Sequence, residues 1–275
     1  MNIIKKLGAL VLAGALIFNG AGCGKTGSEA NTTSKLDEIK KSGKIVMGTC
    51  ADYPPYEFHV LKEGKDEISG FDIEIAKQIA SDLGVELEIK DMKFEGLLPA
   101  LKSGKVDFIA SGMSATEERK KSVDFSNPYY TDISTLVVSW TYKDKVKSVE
   151  DLKGLKLGVQ KASVQEGIAK DKAKDATIKP LGKITDVMME LENGKIDAAI
   201  VTKPVAQSFA KKNKNIFLVG YDFETTADDS VSIAIDKGNE ELVKSINETI
   251  EKLESEKKIE KFIQDAQILS DKNAE

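Results

Sequence analysis

From Leu36 onward, short runs of β-branched and aliphatic residues alternate with segments whose apolar positions recur every three or four residues. The first kind predicts buried strands at Ile45–Gly48, Val85–Ile89, Phe108–Ala110, Thr135–Val138, Lys156–Val159, Ile178–Leu181, Ala198–Val201, Ile216–Val219 and Ser232–Ile235. The second kind predicts helices between them. Phe71, Ile73, Ile75, Ala76, Ile79 and Ala80 approximate one apolar face, and Leu242, Ile246, Ile250 and Leu253 repeat at helical spacing near the end. Gly84, Gly104 and Gly194 stand where helices should stop, each followed within a few residues by a strand.

The alternation predicts an α/β protein with mostly parallel sheets flanked by helices. Two stretches match. Gly96–Phe108 and Met188–Ala198 each read as a helix, then Ser-Gly-Lys-Val-Asp (103–107) or Asn-Gly-Lys-Ile-Asp (193–197), then a strand. Either a favourable turn is used twice, or the chain builds two similar lobes. Two lobes are the preferred reading. They would create a cleft, and ligands of open α/β sheets bind outside the carboxyl ends of the strands.

Residues 1–22 carry a cationic start at Lys5 and Lys6, an apolar run from Leu7 to Phe18, and small residues before Cys23. This is a signal-peptide pattern, because a membrane-spanning helix needs about 20 apolar residues and the run is shorter. Gly20-Ala21-Gly22-Cys23 resembles the lipobox of bacterial lipoproteins, although leucine is usual where Gly20 stands. The alternative is an ordinary cysteine near a conventional cleavage site. Residues 24–34 (GKTGSEANTTS) are small and polar, which predicts a flexible linker between a lipidated Cys23 and the folded part. Localisation on the outer face of the cell membrane follows from that reading.

The chain has 275 residues, 41% hydrophobic and 31% charged, with a formal net charge of -5. Its lysines and acids are interspersed, so no basic stripe is available to track phosphates, and nucleic acid is not expected as a partner. Two cysteines make a poor disulfide framework for a chain of this size. There is no His pair with metal spacing, no Gly-x-Ser-x-Gly elbow and no glycine-rich phosphate loop. The single histidine, His59, reads as a solvated loop residue. No metal, cofactor or catalytic residue is expected.

Candidate binding chemistry sits after the predicted strands. Ser111 to Arg119 brings hydroxyls and backbone N–H groups to a helix start, and Arg119 adds a planar fork suited to a carboxylate. Thr116 as a helix cap and Arg119 on the surface is the bland alternative. Gly158–Gln165 offers a second strand-to-helix junction, where Ser163 and Gln165 also read as helix-start residues. Two prolines stiffen the loop after the first strand, so Tyr53 could be held as a platform, with Phe94 as the opposite wall. Both rings could equally fill a lobe core.

In order along the chain stand GTCADYPPYEF (48–58), ISGFDIEIAKQIA (68–80), KFEGLLPALKSGKVDFIASGMSATEERKKSVDFSNPYY (93–130), LGVQKASVQE (157–166) and IDAAIVTKPVA (196–206). Together they resemble the polar amino-acid binding proteins of ABC importers, the family-3 bacterial solute-binding proteins. The resemblance implies a two-lobe, hinge-bending periplasmic-binding-protein fold of type II. Lobe one would be 35–130 plus 229–275, lobe two 136–222, and 131–135 and 223–228 the crossovers. It implies that Arg119 holds the ligand carboxylate with N–H groups at Ser114 and Val164, that Tyr53 and Phe94 sandwich the side chain, that Ser111 and the Gly112 carbonyl bind polar atoms, and that Gln165 lies near the closed cleft. It also implies delivery to an ABC permease by a monomeric protein without catalysis of its own.

Two positions depart from the family pattern. Thr202 stands where an acid often pairs with the ligand ammonium, and burying an ammonium without a counter-charge costs several kcal/mol. Asp228 or Asp229, backbone carbonyls with the Thr202 hydroxyl, or a ligand that is not a standard α-amino acid are the ways out. Cys50 stands where binders of basic side chains often carry Asp or Glu, which points to a neutral polar or sulfur-containing ligand; as a free cysteine, Cys50 itself reads first as a small buried hydrophobe. An amino-acid-sensing module, or a dehydratase on the same fold, are the competing functions.

Overall fold

A computed structural model of the chain describes residues 34–226 and 229–272. The predicted signal peptide, Cys23 and all of the predicted linker but Ser34 lie outside the described residues. Ser34 itself caps the first helix, its Oγ accepting the N–H of Asp37 at 3.2 Å. Among the described residues no helix is long and apolar enough to cross a membrane.

The chain runs through α1 (Lys35–Ser42), β1 (Lys44–Thr49), β2 (Asp52–Tyr53), β3 (Glu57–Lys62), β4 (Lys65–Ser69), α2 (Phe71–Leu83), β5 (Glu86–Asp91), α3 (Leu97–Lys102), β6 (Phe108–Ile109), α4 (Glu117–Lys120), β7 (Val123–Phe125) and β8 (Tyr130–Thr131). It continues with β9 (Ser134–Ser139), β10 (Lys156–Gln160), α5 (Val164–Lys172), β11 (Thr177–Leu181), α6 (Ile184–Glu192), β12 (Ala198–Thr202), α7 (Lys203–Lys212) and β13 (Ile216–Asp222). It then returns through β14 (Ser230–Val231), β15 (Ala234–Asp236), α8 (Glu240–Ser255) and α9 (Lys258–Lys272).

Two five-stranded sheets result, ordered β5-β1-β6-β15-β7 and β11-β10-β12-β9-β13. In each, the strand in the second position (β1 or β10) lies between two parallel neighbours, and the fourth position is filled by an antiparallel strand that follows a crossing from the other lobe. The protein is therefore a two-lobed α/β fold. Where the chain crosses, β8 and β14 pair antiparallel, and the Asp132 N–H continues the ladder to the Asp229 carbonyl at 2.9 Å.

The repeated sequence unit has a physical role in both lobes. Asp107 Oδ2 accepts the N–H of Val46 at 2.8 Å, and Asp197 Oδ2 accepts the N–H of Lys156 at 2.8 Å. Each aspartate also donates its own N–H to the carbonyl of the same residue. The Gly-Lys-apolar-Asp turn thus ends a helix and fixes the register of the next strand against the first. The left-handed backbone at Gly104 (φ 68°) and Gly194 (φ 64°) is what lets the helix stop there.

Alternating residues of the central strands enter cores on both faces. Ala198 and Ile200 of β12 pack with Leu136, Val138 and Leu157, whereas Ala199 and Val201 pack with Val187, Met188 and Leu191. Lobe one buries Met47, Ile75, Ile79 and Phe108 on one face and Leu97, Leu101 and Ile109 on the other. Full burial of one such side chain is worth about 1.5–3 kcal/mol, which is why these strands read as continuous apolar runs.

Three features differ from the sequence expectation. Residues 52–69 form the three-stranded β2-β3-β4 ribbon, so His59 lies on a strand, exposed but paired through Nδ1 with Asp66 at 2.9 Å. Polar side chains dominate its outward face and masked the period. The expected strand Ser232–Ile235 is divided: β14 ends at Val231 and β15 begins at Ala234, because the N–H groups of Ser232 and Ile233 turn to the Met113 carbonyl and Ser126 Oγ. The short strands β7 and β8 were not marked by any run of their own.

Candidate functional site

The carboxyl ends of the central strands of both sheets converge on one narrow buried cavity. It is lined by Cys50, Tyr53, Glu57, Phe94, Ser111, Gly112, Ser114, Arg119, Asp132, Gln160, Ser163, Val164, Gln165 and Thr202. All ten residues singled out in the sequence as candidate ligand contacts are in this set. Glu57, Asp132 and Gln160 were missed. Glu57 follows Pro54, Pro55 and Tyr56 in a stretch that read as aromatic, and Asp132 sits in a crossover whose course only tertiary structure reveals.

Each side chain is held by its local structure. Arg119 ends up inward because α4 is short and capped by Thr116, whose Oγ1 accepts the Arg119 N–H at 3.2 Å. Its guanidinium donates to the Ser114 carbonyl at 2.8 Å and to the Ala162 carbonyl of the other lobe at 2.9 Å, and lies 5.4 Å from the centroid of the Phe94 ring. Thr116 is thus a cap, while Arg119 is 9% exposed and belongs to the cavity. Ser163 caps α5, its Oγ accepting the Glu166 N–H at 3.1 Å, and Gln165 Nε2 donates to Ser134 Oγ at 3.1 Å.

Tyr53 stacks at an angle on Tyr56, with centroids 5.4 Å apart. Gly112 passes beneath both rings at φ 52°, and a Cβ there would stand 3.4 Å from each. Glycine meets both the backbone angle and the close approach. Its N–H donates to Asp72 Oδ2 at 2.7 Å, and the Tyr129 hydroxyl donates to Asp72 Oδ1 at 2.8 Å. Ser111 Oγ bridges the Cys50 N–H, 3.0 Å away, to Glu57 Oε1 at 2.8 Å.

The site is rich in buried acids. Burial, with the Asp72 charge beside it, pushes the Glu57 carboxyl well above the usual range, and burial moves Asp72 up to about 6 against the hydrogen bonds from Gly112 and Tyr129. The Asp72 charge beside Glu57 disfavours ionising both carboxyls at once. Asp132 is moved up to about 7, chiefly by burial, with the Tyr56 hydroxyl opposing and the Asp229 charge adding to the rise. Glu57 Oε2 and Asp132 Oδ1 are buried without a hydrogen-bond partner. Such atoms mark a place for a donor.

The lining therefore holds one cation, Arg119, against two carboxyl groups, Glu57 and Asp132. Asp132 is thus an acid at the cavity beyond Asp228 and Asp229, the two considered in the sequence for a ligand ammonium. Asp229, considered for that role, turns its Oδ2 to Thr226 Oγ1 at 3.0 Å and does not line the cavity; Asp228 lies outside the described residues. Cys50 is 1% exposed, its thiol donating to Asp52 Oδ1 at 3.2 Å, and burial pushes that thiol far up. It is an inert polar contact, not a nucleophile. Among the described residues no group of three or more His, Cys, Asp or Glu is placed to hold a metal.

Residues 45–265 match the bacterial extracellular solute-binding proteins, family 3. The chain belongs to that family. It is 36% identical over 264 residues to the arginine-binding extracellular protein ArtP of Bacillus subtilis (strain 168), covering 94% of this chain and 96% of that one. It is 37% identical over 245 residues to the ABC transporter glutamine-binding protein GlnH of the same organism, covering 86% and 87%. Among solved structures, the amino acid ABC transporter substrate-binding protein AbpA from Streptococcus pneumoniae, bound to L-arginine, superposes with a TM-score of 0.82 at 39% identity over 85% of this chain and 98% of that one. These relatives of the family-3 protein are named as amino-acid-binding proteins, two of them of ABC transporters, and they differ in the ligand they are named for.

Proposed function

We propose that this family-3 protein captures an α-amino acid with a cationic side chain, L-arginine being the first candidate, and delivers it unchanged to an ABC permease. The observation that carries the ligand class is the charge set of the cavity. An amino acid brings one carboxylate for Arg119 and one ammonium for Asp132. Glu57 remains as a second buried acid, and a ligand with a second cation balances it. This replaces the neutral or sulfur-containing ligand expected from Cys50 alone, which counted neither acid. The arginine named for ArtP and bound to AbpA supports the same choice.

In this reading Arg119 and the N–H groups at Ser114 and Val164 take the carboxylate. Tyr53 and Phe94 flank the side chain, while Ser111, Gly112, Gln165, Thr202 and Cys50 complete the polar walls. The lobes are 35–130 plus 229–275 and 136–222, with 131–135 and 223–228 as crossovers. Cys23 carries the lipid that keeps a monomeric protein on the outer face of the membrane. Replacing Cys23 with Ala should release it into the medium. A thermal-shift comparison of arginine, lysine, histidine, glutamine and cystine tests the ligand class, because a ligand that binds only the folded state raises its melting point. A large shift with glutamine or cystine and none with arginine or lysine would overturn it.

A further inference from the structure

Helix α6 begins on the second lobe with no cap from its own N-cap residue: Lys183 makes no side-chain hydrogen bond there. The missing acceptor comes from the first lobe. Asp52 Oδ2 accepts the N–H of Ile184 at 2.6 Å, and the N–H of Thr185 also favours its ionised form. Lys183 Nζ lies 3.5 Å from Asp91 Oδ2, and Asp91 Oδ1 accepts the Ala51 N–H at 2.9 Å, which anchors the loop that presents Asp52. Asp52 is 5% exposed yet does not line the ligand cavity. Next to it, Gly182 comes so near Lys93 that a Cβ would meet the Lys93 side chain at 2.9 Å.

We propose that Asp52 is a positioning residue that clasps the closed cleft by capping α6 from the opposite lobe, and so sets the rate of ligand release without touching the ligand. Ligand contacts to both lobes favour closure by their own differential free energy. The clasp adds to that a term independent of ligand identity. It is made only when the lobes meet, since its donor and acceptor stand on different lobes, and opening leaves the first N–H groups of α6 to water. Cys50 ties it to the cavity: its thiol donates to Asp52 Oδ1, and Gln160 Nε2 of the second lobe lies 3.8 Å from its Sγ.

The inference rests on the two-lobe capture mechanism but not on arginine as the ligand. Its test uses the full chain with Asp52→Ala and Asp52→Asn, read by small-angle scattering without ligand and by the dissociation rate of L-arginine. Asn accepts a helix N–H as well as Asp does. The expected result is a more open ensemble for Asp52→Ala and dissociation faster by roughly tenfold, the scale of one helix cap, with Asp52→Asn close to the parent. The ratio of affinities for arginine and lysine should not change. Should Asp52→Ala not fold, Lys183→Ala tests the clasp from the other lobe and should open the ensemble in the same direction. Scattering and dissociation unchanged in the variant tested, or Ala and Asn variants that behave alike, would overturn the proposal. If arginine fails to bind the parent protein, the ligand class falls, while the scattering comparison still decides the clasp.

Discussion

The Arg119 guanidinium on the first lobe donates to the carbonyl of Ala162 on the second at 2.9 Å. One side chain thus spans the cleft beside the cavity it lines, so binding and closure draw on the same group. Arg119→Ala should therefore lose ligand affinity by more than about 100-fold, since a charge-assisted bond and its bidentate geometry are both removed. Arg119→Lys should recover only part of it. Calorimetric titration with L-arginine measures this, and circular dichroism should show both variants folded.

Asp132 shares the pH dependence of binding with the neighbouring Glu57 and Asp72 carboxyls. As partner of the ammonium it must be ionised, and its carboxyl titrates at about 7. Affinity should thus fall as pH drops, Asp132 by itself adding a slope that approaches about tenfold per pH unit below 7. Asp132→Asn should bind roughly 100-fold more weakly and lose only the part of this slope that Asp132 carries, the part from Glu57 and Asp72 remaining. Titrations from pH 5 to pH 8.5 read both effects.

Stability without ligand should run the other way. Asp52 and Asp72 titrate at about 6 and Asp132 at about 7 in the folded chain, against an unfolded value near 3.9. Because these folded values are raised, their favourable contribution is present at low pH and is lost as pH rises through 6 to 7. Exposed acids held low by lysines, such as Asp82 with Lys252 and Asp222 with Lys203, act oppositely and lose their contribution only in more acidic solution. The ligand-free protein should therefore melt higher at pH 5 than at pH 8, by an amount on the order of 5 kcal/mol in stability. Added L-arginine should raise the melting point more at pH 8 than at pH 5. Differential scanning calorimetry gives both numbers.

The two sheets were legible because their central strands are buried on both faces, which leaves runs such as Ala198–Val201 without polar interruption. The Gly-Lys-apolar-Asp turn was legible twice, though its use, the Asp107 and Asp197 carboxylates fixing strand register, needed coordinates. The ribbon at residues 52–69 was not, since His59, Leu61 and Lys62 face water and break the apolar pattern. Cavity residues carried by helix starts and glycine turns could be named from motif and position. Glu57 and Asp132 could not. Nothing local marks an acid as buried, and both depend on the meeting of segments far apart in sequence. That omission mattered for the ligand, because Cys50 and Thr202 alone suggested a cavity poor in negative charge.

Proton release on ligand binding tests the charge balance of the cavity most directly. Calorimetric titration of L-arginine near pH 7, repeated in buffers of different ionisation enthalpy, should show tight one-to-one binding that expels about one proton, mostly from the pair formed by Glu57 and Asp72, with Asp132 adding to it. Glu57→Gln should abolish most of that release and weaken arginine far more than glutamine. Tight binding of glutamine or cystine with arginine rejected, or arginine binding that Glu57→Gln leaves unaltered, would contradict the account.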